Sequence, residues 1–149
     1  MKRLIDVYPY SYVSNEVKFL ILKRTHNVIY GGQWRMVGGK VQQDETAFEA
    51  GVRELCEETN LKPTLFWVLP SINQFYDMKS DAVKQIPAFG AEVDKNANIV
   101  LNHEHEDWKW ISQDKIDTYI QWPEQKRLMN LLADIVTSNQ ILEEWIIAS

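Results

Sequence analysis

Apolar residues in the first third of the chain fall in short runs separated by polar turns. These runs are rich in β-branched and aromatic side chains, which favour β-strands. Three strands are therefore predicted here, over 5–13, 16–24 and 33–37, the last running through Gly38 and Gly39 into 40–43.

The pattern then changes to a helical period over about 47–59. Thr46 and Glu49 have the spacing of a capping box, which predicts the first turn of this helix. At about 100° per residue, Phe48, Val52 and Leu55 fall on one stripe, the predicted core face. The small residues Ala47, Ala50 and Gly51 are predicted on the opposite side, where they would keep the surface open.

The second half of the chain predicts further strands and then helices. Strands are expected within 65–78, 86–93 and 107–112, with a break or bulge at Pro70 and with Pro87 near an edge or a strand start. Ser112 is predicted to cap a short helix through Tyr119. Pro123 is predicted to begin another helix, whose apolar residues are Leu128, Leu131, Leu132, Ile135 and Val136. The apolar tail over 141–149 predicts either a final helical turn or a segment that packs on a partner subunit.

The order of strands, helix, strands and helices is typical of a mixed sheet with helices packed on it rather than of a regular βαβ repeat. The expected class is therefore α/β, of the α+β kind. We find no repeat and no linker in the 149 residues, so one domain over 1–149 is expected.

Composition argues against several classes of function. The net charge is −5 and the cations are scattered, which argues against a binder of polymeric nucleic acid. No apolar run is long enough for a membrane span, and the N-terminal segment lacks the features of a signal peptide. The single cysteine, Cys56, excludes an intrachain disulfide and favours a reducing compartment, so a cytoplasmic location is expected.

The candidate chemistry lies on the helix over 47–59. Glu54, Glu57 and Glu58 stand at i, i+3 and i+4, so their side chains converge, although like charges at this spacing cost a few tenths of a kcal/mol per pair. Clustered carboxylates are ligands for a hard cation such as Mg²⁺, with Mn²⁺ as the alternative. A second interpretation is an ordinary Glu-rich surface helix in which Arg53 pairs with Glu57.

The residues upstream favour the metal site. Gly39 is followed after five residues by Glu45, and after seven more by Arg53-Glu54-Leu55-Cys56-Glu57-Glu58. This spacing resembles the signature of the Nudix hydrolases, G-x5-E-x7-R-E-U-x-E-E-x-G-U with U an aliphatic residue, and Leu61 fills the last position. Asn60 stands where the family has Gly; it is the next best residue for the left-handed conformation that ends a helix.

The resemblance implies the Nudix fold, a mixed sheet sandwiched between helices, and cleavage of a phosphoric anhydride by water with a divalent metal. It implies that the metal ligands are the backbone carbonyl of Gly38 and the side chains of Glu54, Glu57 and Glu58. It further implies that Arg53 and Glu45 orient these carboxylates. Glu57, Arg53 and Glu45 are thus expected in the catalytic set.

A further acid is expected after the helix, since many family members recruit one as a ligand or general base. Glu104 is the candidate and Glu106 the second choice. His103 and His105 are interpreted as satisfied or exposed residues rather than a zinc site, because no suitable cysteine or histidine accompanies them. Four residues are candidates for substrate contacts: Arg24, Arg35 and Lys40 with phosphate, and Trp34 with a planar group.

The chain is similar to one branch of the family, the dihydroneopterin triphosphate pyrophosphatases, also called dATP pyrophosphohydrolases. The similarity lies in Glu104-His105 followed by Trp108-Lys109-Trp110. It also lies in Trp34-x-x-Val37-x-Gly39, Arg24 and Trp122. The first hypothesis is therefore release of pyrophosphate from a nucleoside triphosphate or a pterin triphosphate. The alternatives are a hydrolase of dinucleoside polyphosphates or nucleotide sugars, and a non-catalytic nucleotide-binding regulator. The apolar tail makes a homodimer a further hypothesis.

Overall fold

The computed structural model describes residues 3–147, in which seven strands and three α-helices are present. The strands are β1 (Leu4–Val13), β2 (Glu16–Arg24), β3 (Trp34–Arg35), β4 (Val37–Lys40), β5 (Leu65–Asp77), β6 (Ala82–Glu92) and β7 (His105–Ser112). The helices are α1 (Ala47–Thr59), α2 (Ile116–Tyr119) and α3 (Pro123–Thr137). No helix within residues 3–147 is long and apolar enough to cross a membrane.

The strands form one mixed sheet organised around β1. Its order is β3-β2-β1-β6-β5, with β4 added on β1 and β7 on β2. Only the β1–β6 pairing is parallel, and the others are antiparallel. The predicted class, a mixed sheet between helices, is confirmed.

Each face of the sheet is covered by a helix, and the residues of β1 alternate between the two cores. Tyr8 and Tyr10 belong to the core that contains α3, whereas Ile5 and Val7 belong to the core that contains α1. This alternation is why neighbouring residues of β1 serve different layers.

The predicted strand over 33–37 is divided in two by the structure. Trp34 and Arg35 pair with β2, whereas Val37 already pairs with Val7 of β1, so the chain changes partner at Met36. This change places Gly38 and Gly39 beside β1, and Gly39 lies against Glu54 of α1.

The predictions for Pro70 in β5 and Pro87 in β6 are tested by the strand pairing. The register of β5 against β6 shifts between Val68 and Ile72, which confirms a bulge around Pro70. Pro87 lies five residues inside β6 rather than at a strand start, and it pairs with Ile72 of β5. Because the ladder to β1 begins only at Ala88, the other side of β6 is unpaired at Pro87, which confirms the expected edge position.

Helix α3 begins as predicted, whereas α2 begins at Ile116, later than the predicted start after Ser112. Pro123 is the first residue of α3. Ser112 precedes a 3₁₀ turn that leads into α2, but its hydroxyl donates to the Asp114 carboxylate instead of capping a backbone N–H. The short carboxylate two residues away competes with the helix for this donor.

The tail packs on its own chain up to Ile147, and residues 148–149 lie outside the described part. Trp145, in a 3₁₀ turn, stacks on Trp67 with ring centroids 6.3 Å apart. The Ile147 N–H donates to the Phe66 carbonyl at 2.9 Å. These contacts remove the main argument from the tail for a homodimer.

Candidate metal and active site

Helix α1 begins and ends as its sequence predicts. The Thr46 N–H donates to Glu49 Oε1 at 2.9 Å, and the Glu49 N–H donates to Thr46 Oγ1 at 3.2 Å, which completes the capping box. At the other end Asn60 has φ 64°, and its N–H donates to the Cys56 carbonyl at 2.8 Å. The left-handed stop expected of Asn60 is therefore confirmed.

The predicted core face of α1 was wrong in part. Leu55 is fully buried, but Phe48 and Val52 are 39% and 36% exposed. Ala50 and Gly51, predicted on the open side, are buried instead. The sheet approaches α1 so closely that only small residues fit between them, and this outweighs the larger apolar side chains.

Arg53 is the centre of the acidic cluster. Its Nε donates to Glu45 Oε2 at 2.7 Å, and its Nη1 donates to Glu54 Oε1 at 2.6 Å and to Glu57 Oε2 at 3.1 Å. Its Nη2 donates to the Lys40 carbonyl at 2.8 Å and to Glu45 Oε1 at 3.0 Å. The hydrogen bonds from Arg53 hold the pKa of Glu45 below its usual value. One guanidinium thus fixes three carboxylates and the end of β4.

Gly39 brings the backbone of β4 against Glu54. A Cβ at this position would lie 2.3 Å from Glu54 Cδ and 2.6 Å from Oε2, so a side chain cannot share the space. Gly38, its neighbour, pairs with Asp6 of β1. The two glycines therefore place backbone groups beside the carboxylate of Glu54.

Glu58 is the buried member of the cluster, at 3% exposure. Burial raises the pKa of Glu58 strongly, and a hydrogen bond with Glu54 and the charge of Glu54 raise it further. Two carboxylates so close together repel each other, and a bound cation would relieve that repulsion. The Glu54–Glu58 pair thus has the chemistry of a hard-cation ligand pair.

His105 is the residue whose role the sequence did not indicate. It is 5% exposed, and its Nε2 lies 3.6 Å from Glu58 Oε1. Its Nδ1 lies 3.4 Å from Asn102 Oδ1. Burial lowers the pKa of His105 to about 4, so the ring is neutral at pH 7. No periodicity links positions 58 and 105, and only the fold brings them together.

The two candidate acids near β7 have different partners. Glu104 Oε2 accepts a hydrogen bond from Arg24 Nη1 at 3.3 Å, whereas Glu106 Oε1 lies 2.9 Å from His26 Nδ1. The negative charge of Glu104 contributes to the raised pKa of Glu58, so Glu104 belongs to the cluster electrostatically. Glu104, the first choice, is therefore the acid that lies towards the α1 carboxylates.

The four predicted substrate contacts are spread over two regions. Lys40 is exposed, and its carbonyl accepts from Arg53. Trp34 is half-buried, with Tyr119 at 6.0 Å and the Lys109 ammonium 5.3 Å above its ring, so it is already engaged in packing. Arg24 is occupied by Glu104 and by the Ile29 carbonyl.

Arg35 lies in a separate group with Tyr30 and Trp122. Its guanidinium carbon is 4.7 Å from the Tyr30 ring centroid and 6.0 Å from that of Trp122. Burial lowers the pKa of Arg35, and the charge of the nearby Asp6 opposes this. Asp6 is itself buried, and the sequence did not indicate this.

The carboxylates fit a divalent cation in kind, since they supply hard oxygen ligands and a net negative charge. Within residues 3–147, however, no three acidic, imidazole or thiol groups already form a ligand set. The reason is visible at Arg53, which takes an oxygen of Glu54 and of Glu57. A bound cation would have to compete with Arg53 for these oxygens.

Comparison with known proteins identifies the family. A family model described as "NUDIX domain" matches residues 10–132. The chain belongs to the Nudix family. Hydrolases of this family generally use a divalent metal such as Mg²⁺ and act on small nucleotide substrates.

Individual relatives of this Nudix hydrolase are distant. The asymmetrical bis(5'-nucleosyl)-tetraphosphatase of Caenorhabditis elegans is 25% identical over 103 residues, 68% of this chain and 72% of that protein. The nucleoside triphosphatase NudI of Klebsiella pneumoniae is 25% identical over 115 residues, 72% and 82% of the two chains. A crystal structure described as a Nudix hydrolase from Listeria monocytogenes has a TM-score of 0.76 at 20% identity and covers 99% of both chains.

Proposed function

We propose that this Nudix hydrolase is a Mg²⁺-dependent pyrophosphohydrolase. Its substrate is a nucleoside triphosphate, such as dATP, or dihydroneopterin triphosphate, and its products are the monophosphate and pyrophosphate. The relative named as a nucleoside triphosphatase supports a triphosphate substrate. The branch-like residues around Glu104, Trp34 and Trp122 support the pterin alternative.

The observation that carries the proposal is the Arg53-centred cluster. Arg53 holds Glu45, Glu54 and Glu57, and Gly39 leaves room for Glu54 alone. Nothing in the packing of α1 requires these charges in one place. The repulsion between these like charges is explained if they bind a cation that in turn binds phosphate.

Different residues of the site have different roles in the reaction. Glu54, Glu57, Glu58 and the Gly38 carbonyl would hold the metal, which would supply positive charge beside the phosphates and would lower the pKa of a bound water. Water attacks phosphorus, the phosphoanhydride P–O bond breaks, and pyrophosphate leaves with the bond electrons. Glu104 accepts the proton of the attacking water; its side chain is 41% exposed and so open to solvent.

A substrate panel with separate detection of phosphate and pyrophosphate tests the proposal. We expect Mg²⁺-dependent release of pyrophosphate, and a loss of at least about 100-fold in kcat/KM for Glu57→Gln. Glu16→Gln is the matched control, because Glu16 is an exposed carboxylate that pairs with Lys18. Undiminished turnover by Glu57→Gln would overturn the metal assignment.

The choice of base is tested by Glu104→Gln against Glu106→Gln. Only the first should lower kcat, because Glu106 is paired with His26 instead. The reverse ranking would make Glu106 the base, and no loss in either variant would move the base to a glutamate of α1.

A second candidate function is hydrolysis of a dinucleoside polyphosphate, favoured by the relative named as a tetraphosphatase. Product analysis separates the two, since a dinucleoside substrate yields two nucleotides and no free pyrophosphate. A nucleotide sugar would instead yield a nucleoside monophosphate and a sugar phosphate.

We also place the protein in the cytoplasm, because Cys56 is a free and exposed thiol. A homodimer remains a hypothesis, which light scattering of the purified chain would test.

A further inference from the structure

Asn102 lies in the connection between β6 and β7, close to the end of α1. The Val100 N–H donates to the Thr59 carbonyl at 3.0 Å, which docks this connection on the last turn of α1. The His105 N–H donates to the Asn102 carbonyl at 3.3 Å, so the chain turns back on itself between these two residues. This turn brings the half-buried Asn102 side chain to the backbone of Glu104.

The side-chain oxygen of Asn102 faces two nitrogen atoms. Oδ1 accepts from the Glu104 N–H at 3.1 Å and lies 3.4 Å from His105 Nδ1. The Glu104 N–H can only donate, so the amide atom that faces it is the oxygen, and the same oxygen faces the ring. Because a carbonyl oxygen can only accept, the contact with Nδ1 is a hydrogen bond only if Nδ1 carries the proton. Asn102 therefore favours the Nδ1–H form of His105.

The neutral His105 ring has one N–H, and its position decides what the other nitrogen does. Burial lowers the pKa of His105 to about 4, so the ring carries one N–H proton at pH 7. With that proton on Nδ1, Nε2 has a lone pair and donates no hydrogen bond. Nε2 lies 3.6 Å from Glu58 Oε1, beyond the range of a hydrogen bond. This distance fits a nitrogen that makes no bond to the carboxylate.

A donor on His105 Nε2 would compete with a cation for Glu58. Arg53 already donates to Glu54 Oε1 at 2.6 Å and to Glu57 Oε2 at 3.1 Å. None of the hydrogen bonds that Arg53 makes within residues 3–147 reaches Glu58. The Nε2–H form of His105 would donate to Glu58 and occupy an oxygen of this carboxylate as well, whereas the Nδ1–H form leaves it open.

We propose that Asn102 is a positioning residue, which holds His105 in the Nδ1–H form and so leaves the Glu58 carboxylate free for the metal. By accepting from the Glu104 N–H, the same oxygen also fixes the backbone of the candidate base. Asn102 thereby serves the metal site of the proposed function, on which this inference rests.

Nitrogen-15 NMR of the wild-type chain without metal tests the position of the ring proton directly. Long-range proton–nitrogen correlations distinguish a protonated Nδ1 from a protonated Nε2, and the signals lost in His105→Phe identify His105 among the three histidines. We expect the Nδ1–H pattern at pH 7 in the wild type and the Nε2–H pattern in Asn102→Leu. An Nε2–H pattern in the wild type, or an unchanged ring in Asn102→Leu, would overturn the proposal.

Titration of Mn²⁺ without nucleotide, followed by electron paramagnetic resonance, measures the consequence for the metal site. Asn102→Leu should raise the Kd for Mn²⁺ about tenfold, because the new Nε2–H donor holds a Glu58 oxygen. Asn98→Leu is the matched control, since Asn98 is exposed in the same connection, and it should change the Kd less than about twofold. Equal effects of the two variants would show a general disturbance of the connection and overturn the role of Asn102.

A double-mutant cycle separates an effect through the ring from a merely structural one. In the His105→Phe background no ring nitrogen faces Glu58. Adding Asn102→Leu to that background should change the Kd for Mn²⁺ less than about threefold, against about tenfold in the wild-type background. The same tenfold loss in both backgrounds would mean that Asn102 acts on the packing of the connection instead of on the ring, and would overturn the proposal.

Hydrolysis assays distinguish failure of this proposal from failure of the proposed function. The expected ring form and Mn²⁺ affinities, in a chain that hydrolyses no nucleoside triphosphate, would refute the proposed function and leave the role of Asn102 standing. Release of pyrophosphate by the wild type, combined with an Asn102→Leu variant that binds Mn²⁺ as tightly, would overturn the role of Asn102 alone. A wild type that binds no Mn²⁺ would overturn both.

Discussion

Gly39 and Asp6 show how much depends on single residues at this site. Gly39 is a steric requirement, since any side chain there would occupy the position of Glu54. Asp6 lowers the free energy of unfolding when it is charged, since its carboxylate is buried in the sheet. Each has a consequence that can be measured.

Gly39→Ala should impair the metal site without unfolding the protein. The atoms a Cβ would meet belong to the far end of the Glu54 side chain, which can turn away at little cost in stability. We expect kcat/KM to fall about 100-fold and the melting temperature to change by only about a few degrees. Gly38→Ala is the comparison, because its Cβ would meet its nearest atom at 3.5 Å, an ordinary contact. Equal losses in both variants would contradict the steric account.

Asp6→Asn should stabilise the protein at neutral pH. Burial raises the pKa of Asp6 to about 6, and the hydrogen bond from Asn73 only partly opposes this. Because the folded pKa lies above the unfolded value, the stability contributed by the protonated form is complete below about pH 4 and is lost as the pH rises towards 6. The difference approaches about 3 kcal/mol at most. Urea unfolding at pH 4 and pH 7.5 should show the variant gaining only at the higher pH, and a gain independent of pH would refute this explanation.

At the scale of elements, the contact between α1 and the sheet decides where the carboxylates lie. Gly51 allows the approach, since a Cβ there would come within 2.9 Å of Phe66 Cζ and 3.2 Å of Val7 Cγ2. The same approach buries Glu58 and leaves Phe48 outside. The position of α1 on the sheet, rather than the pattern of apolar residues along α1, therefore determines where the carboxylates lie.

Gly51→Ala is expected to destabilise the protein despite improving helix propensity. Overpacking costs about 1–3 kcal/mol, whereas the gain of Ala over Gly in a helix is about 1 kcal/mol. The net loss of up to about 2 kcal/mol should appear in urea unfolding. Cys56→Ala, exposed on the same helix, should change the free energy of unfolding by less than about 0.5 kcal/mol. A stabilised Gly51→Ala would mean that α1 moves freely on the sheet.

For the whole molecule, the acidic cluster predicts coupling between metal binding and stability. A cation at ten times its Kd adds about 1.4 kcal/mol, or about 3–6 °C in melting temperature for a chain of this size. We expect Mg²⁺ to raise the melting temperature of the wild type, with KCl at matched ionic strength as the control. Glu58→Gln should be more stable without Mg²⁺, because it removes a buried carboxyl group, and should not respond to the ion. An equal response in both would place the metal elsewhere.

The sequence by itself determined the elements and the identity of the acids. The capping box at Thr46, the stop at Asn60 and the start at Pro123 follow from local hydrogen bonding and backbone preference, which neighbours along the chain decide. The spacing from Gly39 to Glu58 likewise lies within one strand, loop and helix. Such features can be predicted because few distant residues influence them.

Only the tertiary structure decided which of these residues meet. It placed His105 beside Glu58, Glu104 beside Arg24, and Asp6 beside Asn73. It also moved the buried face of α1 away from Phe48 and towards Gly51, while Leu55 stayed buried, because the fit of Gly51 against the sheet outweighs the burial of Phe48. Contacts between distant positions depend on register and packing, which no periodicity in one segment records.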